Sequence, residues 1–465
     1  MSLPITHADT ISARLDRLPA SRSIWKLIIL ISFGFFFELY DLLYTAYVAP
    51  GLVKSGILTT TTPGLFGTSG VAGFVAALFA GLFIGALLSG FLADRFGRRA
   101  IFTWSLLWYA AANAFMAFQD SASGLNFWRL LAGIGIGTEL VTIAAYLTEL
   151  VPKHVRGRAF ACCQAVGFSA VPVAAFLAYQ LVPLQPLGWD GWRWVVIIGC
   201  HGALFIWWIR RALPESPRWL ASHGRLAEAD QIVSELEKKI ERETGQLLLP
   251  VTIATDNIEP VQMRAQWRDL WRAPYRKRTL LMIVFNVFQT IGYYGFASWV
   301  PTLLIQQGIT VTSSLLYSSV IALAAPVGPL IGFLIADRLE RKTVLMVSSI
   351  CIMLCGLVFS QLTNAVGLII FGVFMTLASN ILSYSYHAYQ AELFPTAIRA
   401  RAVGFVYSWG RFAAIFNAFM IAAVMRGFGV TGVFVLIGCA MLIIVLAIYW
   451  FGPKTRNLAL EFITE

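Results

Sequence analysis

Hydrophobic residues occur along this chain in long blocks, each followed by a short polar segment. Each block contains roughly 20 residues with few charges, the length that an α-helix needs to cross a bilayer. A helix satisfies its own backbone hydrogen bonds in lipid, and blocks this long exclude a β-barrel. The pattern therefore predicts an all-α membrane protein with twelve transmembrane helices. The predicted spans are 25–49, 71–92, 100–119, 125–148, 159–182, 192–209, 279–305, 313–336, 343–362, 365–391, 402–425 and 430–452.

Composition agrees with this pattern, because the chain is 58% hydrophobic and only 13% charged, whereas a soluble chain contains about 25% charged residues. The net charge of +11 is compatible with nucleic-acid binding in principle. However, the basic residues cluster in alternate loops, and the remaining loops hold only Lys54, Arg193 and Arg426. This asymmetry predicts that both termini are cytoplasmic, with the lipid bilayer rather than nucleic acid as the partner of the basic face.

The chain repeats itself at an offset of 243 residues, the separation between Asp94 and Asp337. The segment D-R-F-G-R-R begins at Asp94, and D-R-L-E-R-K begins at Asp337. A second pattern, Y-x-x-E-x-x-P-x-x-x-R, begins at Tyr146 and again at Tyr389, with the same offset. Two motifs sharing one offset indicate two six-helix halves of one design. Parallel repeats of this kind place a binding site at the interface between the halves, near the bilayer midplane.

The spans and polar stretches divide the chain into five predicted segments. They are a cytoplasmic N-terminal tail at 1–24, a six-helix bundle at 25–211, a cytoplasmic linker at 212–278, a second bundle at 279–452 and a C-terminal tail at 453–465. Within the linker, apolar residues at helical spacing predict an amphipathic helix over 225–243. This helix either tethers the halves or takes part in gating.

Several motifs together carry a family resemblance. They are G-x-x-x-D-R-x-G-R-R at 90–99, R-x-x-x-G-x-G-x-G from Arg129, the pattern from Tyr146, P-E-S-P-R-W-L at 214–220 and P-K-T-R at 453–456. This set resembles the sugar-porter branch of the major facilitator superfamily, although P-K-T-R departs from that branch's P-E-T-K. The segments F-E-L-Y-D-L-L-Y at 37–44 and S-W-G-R at 408–411 are more similar to metabolite:proton symporters. Among these the chain resembles the bacterial nicotinate (niacin) transporters, with synaptic vesicle glycoproteins as further relatives. The resemblance implies alternating access and a bacterial inner-membrane location.

The loop motifs place opposite charges at cytoplasmic helix ends in both halves. The predicted gating residues are Asp94, Arg98, Glu149 and Arg156 in the first half, and Asp337, Arg341, Glu392 and Arg399 in the second. In the family such clusters lock the inner gate, and charged bidentate pairs suit a latch that must break in each cycle. Topology alone is the competing explanation for these charges.

Charged residues inside spans are costly and mark functional sites. At 1.5 Å per residue, Asp41 and Arg129 lie ~12 Å and ~6 Å below the outer boundary, a difference that an arginine side chain can bridge. We therefore expect an Asp41–Arg129 pair, and family analogy makes it the proton-coupling site, with Glu38 and Glu139 as secondary candidates. A permanent structural salt bridge is the alternative.

Arg411 is predicted ~15 Å into span eleven, near the midplane. A fixed cation there suggests an anionic substrate, unless the side chain pairs with Glu139 or a backbone carbonyl. Aromatic and amide side chains at similar depth would hold a flat ring. The predicted substrate-binding residues are Arg411, Gln289, Tyr293, Tyr294, Asn286, Trp299, Tyr384, Asn380, Gln164, Tyr40 and Trp409. For any one aromatic residue, packing is the competing role.

These observations predict a proton-coupled importer of a small organic anion, with nicotinate or a similar aromatic carboxylate as the preferred substrate. A sugar or polyol:proton symporter is the alternative, weakened because only Gln289 and Gly292 echo the sugar-porter Q-Q-x-x-G-x-N pattern. A non-transporting membrane sensor is the alternative of another class. We expect no enzymatic activity, no metal and no cofactor beyond the proton gradient, and a monomeric protein.

Overall fold

We describe the fold from a computed structural model of the chain. It describes the backbone of residues 7–59, 61, 62, 64, 68–210, 213–248, 250, 267–273, 275–336, 339–394 and 396–455. Side chains are described for the same residues except 7–9, 90, 91, 94, 202–210, 267, 269, 336, 391 and 396–401.

Within these residues the secondary structure is helical apart from turns and short connections. The first eight α-helices are α1 (His7–Asp16), α2 (Arg22–Lys54), α3 (Gly70–Phe96), α4 (Arg98–Ala117), α5 (Ala122–Leu150), α6 (Arg156–Phe168), α7 (Ala170–Leu181) and α8 (Gly191–Arg210). They are followed by α9 (Pro217–Ser222), α10 (Leu226–Thr244), α11 (Tyr275–Ala297), α12 (Val300–Gln306), α13 (Val311–Ala322), α14 (Val327–Ala336), α15 (Arg341–Phe359), α16 (Ala365–Glu392) and α17 (Thr396–Phe451). Short 3-10 turns lie at Lys153–Val155, Pro186–Gly188 and Trp267–Trp271.

Each predicted span coincides with one or two of these helices. In the described part of the chain, 10 helical stretches are long and apolar enough to cross a membrane, and one of them, Ala402–Phe451, is 50 residues long. That stretch covers the last two predicted spans, which meet at Gly429, where φ is +66° and ψ is −164°. The chain is therefore a multi-pass helical membrane protein, as the hydrophobic pattern predicts.

Three spans are broken near prolines. Span five divides into α6 and α7 at Ser169, three residues before Pro172. Span seven divides into α11 and α12, which has Pro301 in its first turn. Span eight divides into α13 and α14, which are separated by a turn that contains Pro326. Proline lacks the backbone N–H that would continue the helical ladder, which explains breaks at these positions.

Glycines allow α3 and α5 to touch along their length. A Cβ atom on Gly133 would lie 2.4 Å from the carbonyl oxygen of Leu78, and one on Gly137 would lie 2.3 Å from that of Leu82. No side chain fits such gaps, so the glycine series of span four serves close helix packing, as small residues commonly do in membrane bundles.

The internal repeat has a structural counterpart at the end of each half. The Tyr146 hydroxyl donates a hydrogen bond to the carbonyl oxygen of Pro214, just after span six. The Tyr389 hydroxyl donates one of 2.9 Å to the carbonyl oxygen of Pro453, just after span twelve. Each repeated tyrosine therefore fastens its span to the segment that closes its own half.

The two halves meet along four pairs of helices. The first half contributes α2, α3, α6 and α7, which contact α12, α17, α14 and α13 respectively. A cavity remains between them.

The N-terminal segment is more ordered than the predicted tail at 1–24. Residues 7–16 form α1, whose Ile11 and Leu15 are buried against α9 and α10. Arg14 and Arg17 each lie 2.6 Å from a carboxylate oxygen of Glu237 on α10. The amphipathic helix predicted at 225–243 is present as α10, and it buries its apolar face partly against α1.

Candidate functional site

A cavity lies between the two halves. It has a volume of about 230 Å³ and is lined by residues of α2, α5, α6, α11, α16 and α17. Its walls include Leu147, near the end of α5, and Phe160, near the start of α6. The predicted substrate-binding residues that line it are Gln164, Asn286, Gln289, Tyr293, Tyr294 and Arg411.

Arg411 is the basic group of this cavity wall. Its Nη1 donates a 2.8 Å hydrogen bond to the Tyr294 hydroxyl, and its Nη2 donates to the Tyr407 hydroxyl. The guanidinium carbon lies 4.8 Å from the centre of the Tyr407 ring. Among the residues that the structure describes, no carboxylate lies within ion-pair distance of Arg411. A cation with neutral partners in a largely buried wall is suited to bind an anion.

Amide groups lie on the same cavity wall. Asn286 uses its Nδ2 donors on the Met282 carbonyl oxygen at 2.8 Å and on Gln390 Oε1 at 3.0 Å. The Oε1 atom of Gln164 has no hydrogen-bond partner within the described residues. It can therefore accept a hydrogen bond from a bound molecule, as can groups of Gln289 that face the cavity.

Five predicted substrate-binding residues lie elsewhere. Tyr40 points into the first half, where its hydroxyl donates a 2.8 Å bond to the Val195 carbonyl oxygen. Asn380 lines a second, smaller cavity. The remaining three are Trp299, buried at the start of α12, Tyr384, whose ring packs on Gly332, and Trp409, which is 38% exposed beside Phe405 and Phe412. None of these five side chains lines the main cavity.

Several cavity residues were not among the predicted ones. Ser383, Tyr386 and His387 of α16 and Tyr407 of α17 line the same wall as Arg411. Tyr407 lies four residues before Arg411, so helical spacing already places both on one face.

Asp41 and Arg129 are in contact deep within the first half. Arg129 Nη1 lies 3.1 Å from Asp41 Oδ1, and Arg129 is 0% exposed. Arg129 also donates to the Tyr44 hydroxyl at 2.8 Å, to the Asp41 carbonyl oxygen at 2.7 Å and to Thr45 Oγ1. Asn113 of α4 completes the arrangement by donating a 2.7 Å bond to Asp41 Oδ2. The contact expected from depth is therefore present, within a larger hydrogen-bonded network.

The network's neutral members were not predicted. Asn113 is a lone amide in an apolar block, and Tyr44 and Thr45 follow Asp41 by one helical turn. A buried polar group in a span needs partners, and this was the available signal.

Asp41 lines a separate, very small cavity of about 10 Å³ inside the first half, together with Tyr40 and Asn113. It does not appear on the wall of the main cavity. Glu38 is fully buried on α2, close enough to Cys163 and Tyr407 to interact electrostatically with both. Glu139 is fully buried on α5.

Among the described residues, the charged motifs at the helix ends contain an ion pair in each half. Arg98 Nε lies 3.1 Å from Glu149 Oε1, and Arg341 Nη2 lies 2.7 Å from Glu392 Oε1. Arg156 is not part of the first pair. Its Nε donates a 3.2 Å bond to the Val151 carbonyl oxygen and its Nη2 lies 3.7 Å from Asp16 Oδ1 of α1. The side chains of Asp94 and Arg399, and residue Asp337 as a whole, lie outside the described residues.

Comparison with known proteins gives a consistent result over nearly the whole chain. The family model described as "Sugar (and other) transporter" matches residues 27–465. The putative metabolite transport protein YyaJ of Bacillus subtilis is 32% identical, covering 97% of this chain and 97% of its own. The niacin transporter NiaP of Acinetobacter baylyi is 28% identical, covering 97% of this chain and 99% of its own.

The fold is also that of a solved transporter. The crystal structure of a D-xylose-proton symporter superposes with a TM-score of 0.70 at 18% identity, covering 94% of this chain and 99% of that one. The relatives are transport proteins rather than enzymes. The chain belongs to the sugar (and other) transporter family, within the major facilitator superfamily.

Proposed function

We propose that this membrane transporter imports a small organic anion, with an aromatic carboxylate such as nicotinate as the preferred substrate. The observation that carries the proposal is Arg411, a guanidinium on the wall of the main cavity that donates hydrogen bonds to two tyrosine hydroxyls. A carboxylate there would gain charge-assisted, bidentate hydrogen bonds. The rings of Tyr293, Tyr294 and Tyr407 offer faces for an aromatic ring. A relative of similar length is named a niacin transporter, which supports the same substrate class.

The proposed energy source is the proton gradient, acting through Asp41. While Asp41 is ionised, its carboxylate accepts from Arg129 and from Asn113, and it joins α2 to α5 and α4. Protonation of Asp41 would turn one of its two acceptor oxygens into a hydroxyl donor. It would also remove the negative charge that balances Arg129. This loosens the contact between these helices. Because Asp41 and the main cavity are separate, coupling acts through helix movement rather than through direct contact between proton and substrate.

The proposed cycle alternates access to the two sides of a bacterial inner membrane, with both termini cytoplasmic. The Arg98–Glu149 and Arg341–Glu392 pairs would link neighbouring helix ends within each half and re-form in each cycle. We propose that the protein acts as a monomer.

A sugar:proton symporter is the second candidate. It is favoured by the amide groups of Gln164, Asn286 and Gln289 on the cavity wall, since sugars need many hydrogen-bond partners. A sugar has no charge for Arg411 to pair with, and this is the difference that an experiment can measure.

Counterflow in proteoliposomes tests the proposal with nicotinate, benzoate, nicotinamide and D-xylose. We expect exchange of the two acids, weaker exchange of the amide, and loss of acid exchange by at least about tenfold in Arg411→Ala, as for the loss of a charge-assisted contact. Arg225→Ala, in an exposed pair with Glu228, is the matched control. Unchanged acid exchange in Arg411→Ala would rule out the anchoring role. Exchange of D-xylose alone would favour the sugar alternative, and binding without exchange would favour a sensor.

A further inference from the structure

A second cavity lies next to the main one, and two residues contribute to the walls of both. Tyr293 and Phe168 line both cavities. The second cavity is small, with a volume of about 40 Å³, and lies among α2, α7, α11, α13 and α16. Its walls reach Tyr47 and Val300, which are on the opposite side of Tyr293 from Leu147 in the main cavity. It is therefore an outer chamber, adjacent to the proposed substrate site.

Two serines of the outer chamber carry unsatisfied hydroxyls. Ser318 of α13 is 1% exposed and Ser379 of α16 is 6% exposed. Neither Oγ atom has a hydrogen-bond partner within the described residues. This is unusual for a buried hydroxyl, since the large majority of buried polar side-chain atoms are hydrogen-bonded.

Neighbouring hydroxyls show the usual arrangement. Ser319 Oγ donates a 2.7 Å bond to the Leu316 carbonyl oxygen, and Thr376 Oγ1 donates one of 2.9 Å to that of Gly372. A serine in a membrane helix normally satisfies itself this way, by bonding to the preceding turn. Ser318 and Ser379 do not, although their helices offer the same carbonyl groups. Two hydroxyls from different helices thus remain available at one chamber.

The chamber's remaining walls define the chemistry of its occupant. The lining residues include Asn380 and Tyr293 as further polar groups, and the others are mainly apolar, with no charged side chain among them. A charged group would be buried there without a counter-charge, which is costly. A neutral group that can both donate and accept hydrogen bonds, such as a hydroxyl, fits this set.

We propose that Ser318 and Ser379 form a hydroxyl-binding subsite, which takes a neutral hydroxyl substituent at the end of the substrate remote from its carboxylate. This rests on the proposed function, because Arg411 in the main cavity then holds the carboxylate. The ring would lie beside Tyr293, and its hydroxyl would enter the outer chamber. The preferred substrates are therefore hydroxylated aromatic acids rather than unsubstituted ones.

Binding to the purified, full-length protein tests the subsite with benzoate and 4-hydroxybenzoate, measured by calorimetry. We expect wild type to bind 4-hydroxybenzoate about tenfold more tightly than benzoate, as two neutral hydrogen bonds allow. Ser318→Ala/Ser379→Ala should lower this ratio to near one by weakening only the hydroxylated acid. Ser319→Ala, whose hydroxyl is satisfied within its own helix, is the matched control and should keep the ratio. An unchanged ratio in the double variant would overturn the subsite.

The same measurement separates this proposal from the one on which it rests. If wild type bound neither acid but bound D-xylose, the proposal of an anionic substrate would fail. The subsite would then be tested by the D-xylose affinity of the serine variants. The double variant should then weaken D-xylose binding and Ser319→Ala should not. Equal D-xylose affinity in all three proteins, or no binding of any of the three compounds to wild type, would overturn the subsite as well.

Discussion

Replacing Asp41 by asparagine removes the negative charge from the buried network that Asp41 forms with Arg129 and Asn113. Asp41 Oδ1 accepts from Arg129 and Oδ2 accepts from Asn113. An asparagine side chain offers a single acceptor oxygen, so its amide group must face one of these two donors. Arg129 and Asn113 are both buried, so either donor would lose its acceptor away from water. If Arg129 loses it, a fully buried cation is left without a counter-charge.

The expected cost follows from this geometry. Removing one member of a buried ion pair costs about 3–5 kcal/mol, since it leaves a buried charge without compensation. Arg129 keeps the Tyr44 hydroxyl, Thr45 Oγ1 and the Asp41 backbone carbonyl as acceptors. We therefore expect the lower end of that range, about 3 kcal/mol, for Asp41→Asn. Replacing both members by apolar residues, as in Asp41→Leu/Arg129→Met, should destabilise the protein less than Asp41→Asn alone, because neither charge is then buried, although the Asn113 amide loses its acceptor.

The assay is unfolding in mixed micelles by titration with sodium dodecyl sulfate, followed by tryptophan fluorescence. The free energy of unfolding is compared for wild type, the single variant and the double variant. Glu228→Gln, in an exposed pair with Arg225, is the control and should show no measurable change. A loss below about 1 kcal/mol in Asp41→Asn would refute the description of a mutually dependent buried pair. A double variant as unstable as the single one would refute the assignment of the cost to an unpaired charge.

Two further predictions concern packing and pH. A Cβ on Gly137 would lie 2.3 Å from a backbone carbonyl of α3, so Gly137→Ala should lower the midpoint of thermal unfolding, whereas Gly157→Ala, with no atom within 4 Å, should not. At α1, burial opposes ionisation of Glu237, but hydrogen bonds from Arg14 and Arg17 outweigh it and lower the pKa of Glu237 below its ordinary value. This contribution to docking is complete above about pH 4.3, the carboxyl group's ordinary pKa, and is lost as pH falls through the lower pKa of the docked state. The hydrogen-exchange protection of α1, corrected for the pH dependence of intrinsic exchange, should therefore fall at acid pH in wild type, and Glu237→Gln should show weaker protection at neutral pH too. Exchange in α1 that is the same in both proteins at neutral pH would contradict this.

Much of the fold follows directly from the sequence because lipid imposes few solutions. Long apolar blocks must be helices, and a shared offset of motifs must give two related halves. The contact between Asp41 and Arg129 could be expected from depth alone, since two buried opposite charges within reach of one another are strongly favoured to meet.

The candidate site was harder to predict, because depth does not determine rotation about a helix axis. Tyr40 and Asp41 are adjacent, yet both face the interior of the first half rather than the main cavity. Trp409 lies two residues before Arg411, which turns it towards the opposite side of α17. Neutral partners such as Asn113 carry no charge signal and are found only when the three-dimensional network is known.

The N-terminal helix was missed for a different reason. Its charged residues gave the first part of the chain a polar character, and this concealed Ile11, Leu15 and Leu18 at helical spacing. All three are buried in the same cluster as Trp219 and Val233. The pattern was therefore present, but on a scale of one short helix it was weaker than the signal of the membrane spans.

The docked first helix has a practical consequence for anyone who produces this protein. A terminal segment taken for a dispensable tail is often shortened or replaced by an affinity tag. Here, deletion of α1 would uncover the apolar face of α10 and the ring of Trp219, and would leave Glu237 without its two arginines. Uncovered faces of this kind promote aggregation in detergent. Tags are better placed ahead of His7, or at the other end of the chain.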